Sequence, residues 1–533
     1  MTNVVAAAVA CALLVASCGT SGEDVAAPPL VTARSDSTAT STTQPPVTLA
    51  TEPVATAESE QSTSTAAPTP LPEVTVEQIE CPSEIRSEEL SCGLATVPLD
   101  RDDATAGTTS ISIAALRGND PEAPVPLAVL QGGPGGSSTD LTNFYPQRDF
   151  TQVFIDQRGT GFGGSDFDCP EVDEVLVDVL GATSAAGEEI QLAAYDRCAA
   201  RLVTDPVFAS TDTANLAADV ADVMAALGYD RWLVYGVSYG TTIALQLMRT
   251  APGGLEGAIL DSVYPIDLDI DMAIAQSAMS SLDELDRACA ADPDCDAILP
   301  DVAGTLVSLM AQLELDPITV AIDANETLLG MPVDVLIDAE TLAGMVFRFL
   351  YDESRFRFVP GMLDGLDRGD PGTARWLARA VVDLSVSSLP ANDDGTWFAV
   401  QCADRLPFTN GPPSDSSDYA AAIAAPGLDE LCEPWDRDLA PASFGVPVRS
   451  DIPALIVGGQ FDPITPPAYA DRVAAELTAA TVAIRLGRAH GVWYGDDCIG
   501  GLVDAFVIDP GGVLDTSCAD EVVRVDWRRP VAG

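Results

Sequence analysis

The sequence predicts an α/β protein: an open, mostly parallel, doubly wound sheet interrupted by one mainly helical cap. Three observations carry this. Short apolar runs without alternation, the pattern of strands covered on both faces, recur in the first half of the chain and again near its end. Helix-forming stretches lie between several of them. And a serine framed by glycines, Gly236-Val237-Ser238-Tyr239-Gly240, stands where one such run passes into a helix.

The elements follow in chain order. Val4–Ala16 is apolar, too short to span a bilayer, and of the length of a signal-peptide core. Val15-Ala16-Ser17-Cys18 resembles a bacterial lipobox, in which the cysteine is lipidated, although Met1-Thr2-Asn3 lacks the usual positive charge. Residues 1–18 are therefore expected to direct export, either as a lipoprotein with Cys18 as the lipid-bearing residue or, through an ordinary secretory signal, as a secreted protein. Residues 19–78 are rich in Ser, Thr, Ala and Pro, and such a segment buries too little apolar surface to offset its ordering entropy. We read it as a tether, followed by a first core part over 79–265.

Within that part, Val125–Leu130 runs into Gly132-Gly133-Pro134-Gly135-Gly136, and Gln152–Ile155 into Asp156-Gln157-Arg158-Gly159-Thr160-Gly161. Trp232–Tyr235 leads to the serine turn and Gly257–Leu260 to Asp261-Ser262; Thr213–Leu227 and Tyr239–Arg249 are the intervening helices. From 266 to 445 amphipathic patterns dominate, over Ala273–Ala290, Val302–Leu313, Ala339–Tyr351 and Ala374–Leu384, which predicts the cap. Strands of the earlier kind resume in a second core part, 446–533: Ala454–Val457 before Gly458-Gly459-Gln460-Phe461-Asp462, and Val482–Leu486 before Gly487-Arg488-Ala489-His490. In such a sheet the reactive groups gather at the carboxyl ends of the strands.

Composition narrows the chemistry. The 26 basic residues are all arginines and His490 is the single histidine, so a Schiff-base lysine, a phosphate-loop lysine, a Ser-Lys dyad and paired-histidine metal motifs are all excluded. No cofactor and no metal is expected. A net charge of −55 argues against nucleic acid and anionic lipid surfaces as partners, leaving a lipid anchor as the expected membrane attachment. Of 12 cysteines, Cys11 and Cys18 fall in the signal segment, and the even remainder in an exported chain suggests disulfides. Pairing by short loops gives Cys81–Cys92, Cys169–Cys198, Cys289–Cys295, Cys402–Cys432 and Cys498–Cys518. Oligomeric state is not legible.

Gly-x-Ser-x-Gly between strand and helix is a nucleophile elbow: the turn is so tight that the flanking residues must nearly lack side chains. A serine hydroxyl needs a base to take its proton, and His490, after the last apolar run, is the one imidazole available. Asp462, after the preceding run, is the expected partner of that imidazole; Asp496 and Asp497 are rivals that break the Ser-Asp-His order of this architecture. An oxyanion would be held by the Tyr239 N–H and by one from the glycine turn, with Gly133 preferred to Gly132.

Together, Gly132–Gly136, Asp156–Gly161, Gly236–Gly240 and Gly458-Gly459-Gln460-Phe461-Asp462-Pro463-Ile464-Thr465-Pro466 resemble the proline iminopeptidase and secreted tripeptidyl aminopeptidase group of α/β-hydrolases. Ser91-Cys92-Gly93 through Val97-Pro98-Leu99-Asp100 is similar to the opening strand of the secreted tripeptidyl enzymes. The resemblance covers about 80–265 and 445–500 and fades in the cap. It implies the α/β-hydrolase fold and an exopeptidase acting on peptides with free N-termini. Gln131 departs from it, since the group usually has histidine there. Asp156 and Arg158 are read as braces near the oxyanion turn. The resemblance further implies cap carboxylates that bind the substrate ammonium, for which Asp404, Asp352 and Glu353 are the candidates. Two other readings remain open, an esterase or lipase on the same fold and a non-catalytic peptide-binding surface lipoprotein.

Overall fold

Runs such as Leu127-Ala128-Val129-Leu130 and Trp232–Val237 carry no polar side chain, and burying them on both faces requires helices above and below. The computed structural model shows this, describing residues 70–531 except 84, 86–89, 121–124, 353, 389–392, 411–416 and 425. The signal segment, Cys18, Glu353 and nearly all of the tether lie outside the described residues.

Nine strands form one sheet: β1 (Thr75–Ile79), β2 (Leu90–Pro98), β3 (Thr108–Leu116), β4 (Leu127–Leu130), β5 (Gln152–Ile155), β6 (Trp232–Val237), β7 (Leu255–Asp261), β10 (Ala454–Gly459) and β11 (Ala480–Arg485). Two more, β8 (Ile318–Ile322) and β9 (Val333–Ile337), pair only with each other. The spatial order is β1-β2-β3-β5-β4-β6-β7-β10-β11. β1, β2, β3 and β5 pair antiparallel, and every pairing from β5 through β11 is parallel. The chain runs outward from β4 in both directions, to β5 on one side and β6 on the other. This is a switch point, where a crevice opens beyond the strand ends.

Helices Thr213–Ala226 and Tyr239–Thr250 cover one face through Val220, Val223, Ile243 and Leu247. Helix Asp497–Ile508 covers the other through Val503 and Phe506, against Leu233, Ile259 and Leu455. The cap has its own core, in which Leu282, Leu306, Val346, Phe349 and Leu377 meet.

Four boundaries differ from expectation. The tether does not reach 78, because Thr75–Ile79 adds an edge strand to β2. The cap includes the β8–β9 hairpin. It is also joined by helices that follow β5: Ser184 bonds Asp338 through its amide at 2.7 Å and its hydroxyl at 2.6 Å. Finally, the C-terminal tail returns to the cap, where Trp527 Nε1 donates to Asp292 at 3.1 Å and the Arg528 amide to the Arg357 carbonyl at 3.1 Å.

Disulfides join Cys81–Cys92, Cys169–Cys198, Cys289–Cys295, Cys402–Cys432 and Cys498–Cys518. No described helix is long and apolar enough to cross a membrane.

Candidate active site

β6 ends in a turn that only small residues permit. Ser238 lies at φ 56°, ψ −125°, a left-handed conformation that costs a non-glycine residue energy. A side chain at Gly236 would collide with the Gly240 carbonyl, and one at Gly240 would come within 2.5 Å of the Leu130 carbonyl. The turn is held from the next strand, where the Asp261 carbonyl accepts the Ser238 amide at 3.0 Å. Ser238 thus stands at the N-terminus of helix Tyr239–Thr250, a favourable place for developing negative charge.

His490 follows β11 and meets the residue expected from sequence. Its Nδ1 lies 2.7 Å from Asp462 Oδ2, and Thr465 Oγ1 donates to the same oxygen at 2.6 Å. Asp462 Oδ1 accepts the Ile464 and Thr465 amides at 3.0 and 2.8 Å. Burial works to raise the Asp462 carboxyl, but the His490 charge and hydrogen bond, with the Thr465 hydroxyl and amide, outweigh it and hold it below its usual value. With Nδ1–H donated to Asp462, His490 Nε2 carries the lone pair a general base requires, and it is buried without a hydrogen-bond partner among the described residues. The ring stacks on Tyr351 of the cap, centroids 4.2 Å apart.

The histidine and serine turns share one support. Asp261, fully buried at the end of β7, accepts the Val492 amide at 3.0 Å on Oδ1 and the Trp493 amide at 2.9 Å on Oδ2, where the Tyr235 hydroxyl also donates at 2.8 Å. Ser262 Oγ accepts the Gly491 amide at 2.9 Å. A Cβ on Gly491 would lie 3.6 Å from Val237 Cγ2, so the neighbours of His490 and Ser238 in the chain are packed against each other.

The glycine turn after β4 closes the arrangement. A Cβ on Gly132 would lie 2.7 Å from Ser238 Cβ and 3.2 Å from its Oγ. Gln131, in the place of the expected histidine, folds back so that its Oε1 accepts the Gly132 amide at 2.9 Å. Gln157 threads the turn, its Nε2 donating to the Gly132 and Gly136 carbonyls at 3.0 and 3.2 Å and its Oε1 accepting the Gly135 amide at 3.1 Å. Asp156 braces the residues that follow, accepting the Thr139 amide at 2.8 Å and the Ser112 hydroxyl. Burial raises its carboxyl to about 6 against those bonds. Arg158 does not brace this turn. It pairs instead with Asp219 at 2.7 Å and with the Pro98 and Leu99 carbonyls, because its side chain runs toward β2.

Two of the carboxylates expected to bind an ammonium, Asp404 and Asp352, are engaged elsewhere. Asp404 is buried and accepts the Thr213 amide at 2.8 Å, fixing the start of helix Thr213–Ala226; burial and the nearby Asp212 push it up. Asp352 is tied into its own turn by the Ser354 amide at 2.8 Å and Arg355 Nε at 2.7 Å. The rival Asp496 is paired with Arg485 and Arg488 at 2.9 and 3.0 Å, and it caps the helix that Asp497 begins. Sequence reasoning missed Asp393 and Asp394. The Asp393 amide donates to the Gly135 carbonyl at 3.0 Å, so Asp393 abuts the glycine turn and Asp394 follows it in the chain. Burial, then neighbouring carboxylates including Asp168, raises both to about 8. Among 81 acidic residues nothing local distinguishes these two. Thr465 was also missed, although Asp-Pro-x-Thr is a spacing at which a hydroxyl reaches back to a carboxylate. The metal-type grouping found among the described residues, Cys169, Glu171 and Cys198, contains a disulfide, so its sulfurs are not thiolates.

Residues 125–298 match the family model of the alpha/beta hydrolase fold, and residues 417–518 match that of the TAP-like proteins. A probable proline iminopeptidase of Streptomyces coelicolor is 27% identical over 139 residues, 26% of this chain and 32% of its own length. The chain thus spans about a third of that relative. The serine protease Hip1 of Mycobacterium tuberculosis is 24% identical over 462 residues, 80% of this chain and 86% of its own. A crystal structure of a proline iminopeptidase from Mycobacterium smegmatis is 15% identical, covers 78% of this chain and 98% of its own, and superposes with a TM-score of 0.39. The strand order, with its switch point at β4, and the two matched segments lead to the same conclusion: this chain has the α/β-hydrolase fold, and residues 417–518 resemble the TAP-like proteins.

Proposed function

We propose that the protein is an exported serine exopeptidase that removes residues from the free N-termini of peptides. The observation that carries this is the His490 ring, oriented by Asp462, with an unpartnered Nε2 and its own chain neighbour packed against that of Ser238. In this reading Ser238 Oγ attacks the scissile carbonyl while His490 Nε2 takes its proton. The imidazolium is stabilised by Asp462. The oxyanion is met by the Tyr239 amide and by Gly133, since the Gly132 amide is already engaged with Gln131. His490 then protonates the leaving amine, and water repeats the sequence on the acyl-enzyme.

For the substrate ammonium we replace Asp404 and Asp352 with Asp393 and Asp394. These carboxyls are held largely protonated at neutral pH by burial, and a bound ammonium would supply the counter-charge that favours their ionised form. Export through residues 1–18, with lipid attachment at Cys18, is part of the proposal. Five disulfides, at home in an oxidising compartment, support it.

The test assays aminoacyl and tripeptidyl arylamides with free amines beside their N-blocked forms and a nitrophenyl ester. Turnover of the free-amine arylamides, abolished in Ser238→Ala, is the expected result. Turnover of the ester alone would make the protein an esterase and overturn the peptidase reading.

A further inference from the structure

One buried cation in the cap forms no ion pair among the described residues. Arg348 is 8% exposed, its Nη1 is buried without a hydrogen-bond partner, and no described carboxylate forms an ion pair with it. The other deeply buried arginines are fully engaged: Arg158 pairs with Asp219, and Arg405 donates to the Pro265 and Ile266 carbonyls. The carboxylate nearest along the helix, Asp352, bonds Ser354 and Arg355, and its charge acts on Arg348 without forming an ion pair with it. Burial, reinforced by the charge of Arg355, lowers the Arg348 guanidinium to about 9, with Asp352 and Tyr351 opposing the shift only in part. A desolvated, unpaired cation is costly and is ordinarily neutralised by a partner.

Its position indicates which partner. Arg348 lies three residues before Tyr351 on helix Ala339–Tyr351, the spacing that puts two side chains on one face, and the two groups act on each other electrostatically. Tyr351 covers the His490 ring. In acyl transfer the histidine delivers its proton to the leaving group, so the leaving fragment departs past the ring that Tyr351 covers, and Arg348 lies within electrostatic reach of Tyr351. The glycine turn and Asp393 border the other part, toward the acyl portion.

We propose that Arg348 is a subsite for a carboxylate on the leaving fragment: the α-carboxylate of a short peptide, or an acidic side chain on its first residue. The proposal rests on the reading of Ser238 and His490 as an acyl-transfer site. With the α-carboxylate as ligand, short free peptides are better substrates than long or C-terminally blocked ones; with the side chain as ligand, an acidic first leaving residue is preferred, in a molecule whose overall charge would otherwise repel either.

The experiment compares kcat/KM for peptides sharing one acyl part. One pair differs as free acid against C-terminal amide, and a second, amidated pair has Glu against Gln as first leaving residue. An ester pair, with 4-hydroxybenzoate against 4-hydroxybenzamide as leaving group, needs no peptidase activity. The wild type should prefer the carboxylate in the ester pair and in one peptide pair by roughly tenfold or more, as a charge-assisted bond supports. The peptide pair that responds identifies the source of the carboxylate. R348M should erase the preference, leave the uncharged leaving groups within about twofold, and keep or raise Tm, because an unpaired buried charge has been removed. R348K, which keeps a charge, should retain part of the preference and keeps the test readable should R348M fail to fold. A preference confined to the ester pair and lost in R348M supports the subsite while removing the exopeptidase reading. No preference in any wild-type pair, or one that survives R348M, overturns the proposal.

Discussion

Ser238, Asp462 and His490 are separated by 224 and 28 positions in the chain, and each was singled out because it closes an apolar run in a turn; the structure brings Asp462 and His490 into contact. Replacing Ser238 with Ala should lower kcat by about 10⁴-fold or more with the fold intact by circular dichroism, since a nucleophile has no substitute. Asp462→Asn should cost about 10⁴-fold, because the amide presents its N–H₂ where Nδ1–H must be accepted and selects the wrong tautomer. Activity of either variant within tenfold of wild type would remove this site from the chemistry. Arg348, Asp393 and Asp394 were not legible. What sets them apart is burial, an Arg348 Nη1 without a hydrogen-bond partner among the described residues and the bond of Asp393 to the glycine turn, and a sequence records neither burial nor pairing. Asp404 shows the converse: its neighbour Cys402 does fix the backbone, but it delivers the carboxylate to Thr213 rather than to a substrate.

At the scale of elements, the parallel strands were predicted closely because a strand buried on both faces must be apolar throughout. β1 escaped for the opposite reason: Thr-Val-Glu-Gln-Ile is an edge with mostly exposed side chains, and it reads as tether. The helices after β5 were not predicted to join the cap, since the Ser184–Asp338 contact spans 154 residues. The end of β7 illustrates an element acting through another. Asp261→Asn keeps one acceptor oxygen but turns an N–H₂ toward an amide that needs an acceptor, removing a bond worth about 1.5–3 kcal/mol. With the His490 turn loosened, kcat should fall on the order of a hundredfold while KM changes little, as expected of a group that positions rather than reacts. Equal losses in both parameters would assign Asp261 to substrate binding. Cys402–Cys432 ties helix Asp394–Asp404 to helix Leu428–Cys432 across 30 positions. Replacing both cysteines with serine should cost about 3–4 kcal/mol in denaturant unfolding, and an unchanged midpoint would count against that loop-closure estimate.

The whole molecule carries 81 acidic against 26 basic residues, and how that charge meets the fold can be tested through pH. Asp393 and Asp394 stay protonated in the folded state up to about 8, whereas an unfolded carboxyl releases its proton near 4. Between those values the folded protein binds more protons than the unfolded chain, so stability falls as pH rises through this window. Asp462 acts in the other direction. Its folded carboxyl is held below the ordinary value, so its contribution is complete above the unfolded pKa and disappears only as pH falls through the folded one, below about 4. Tm should therefore be higher near pH 5 than at pH 8.5, and general repulsion among the acidic groups adds to the same trend. The two causes separate by substitution and by salt. Asp394→Asn should raise Tm at pH 8.5 and leave it nearly unchanged at pH 5, because the amide needs no proton to stay neutral. Raising sodium chloride to about 1 M should lift Tm in wild type and variant alike by screening the surface charge, while the difference between them, set in a buried place, persists. A wild-type Tm that climbs steadily from pH 5 to pH 8.5 would mean that these two carboxyls are already ionised in the resting protein, and the ammonium subsite assigned to them would then need no bound cation to charge it.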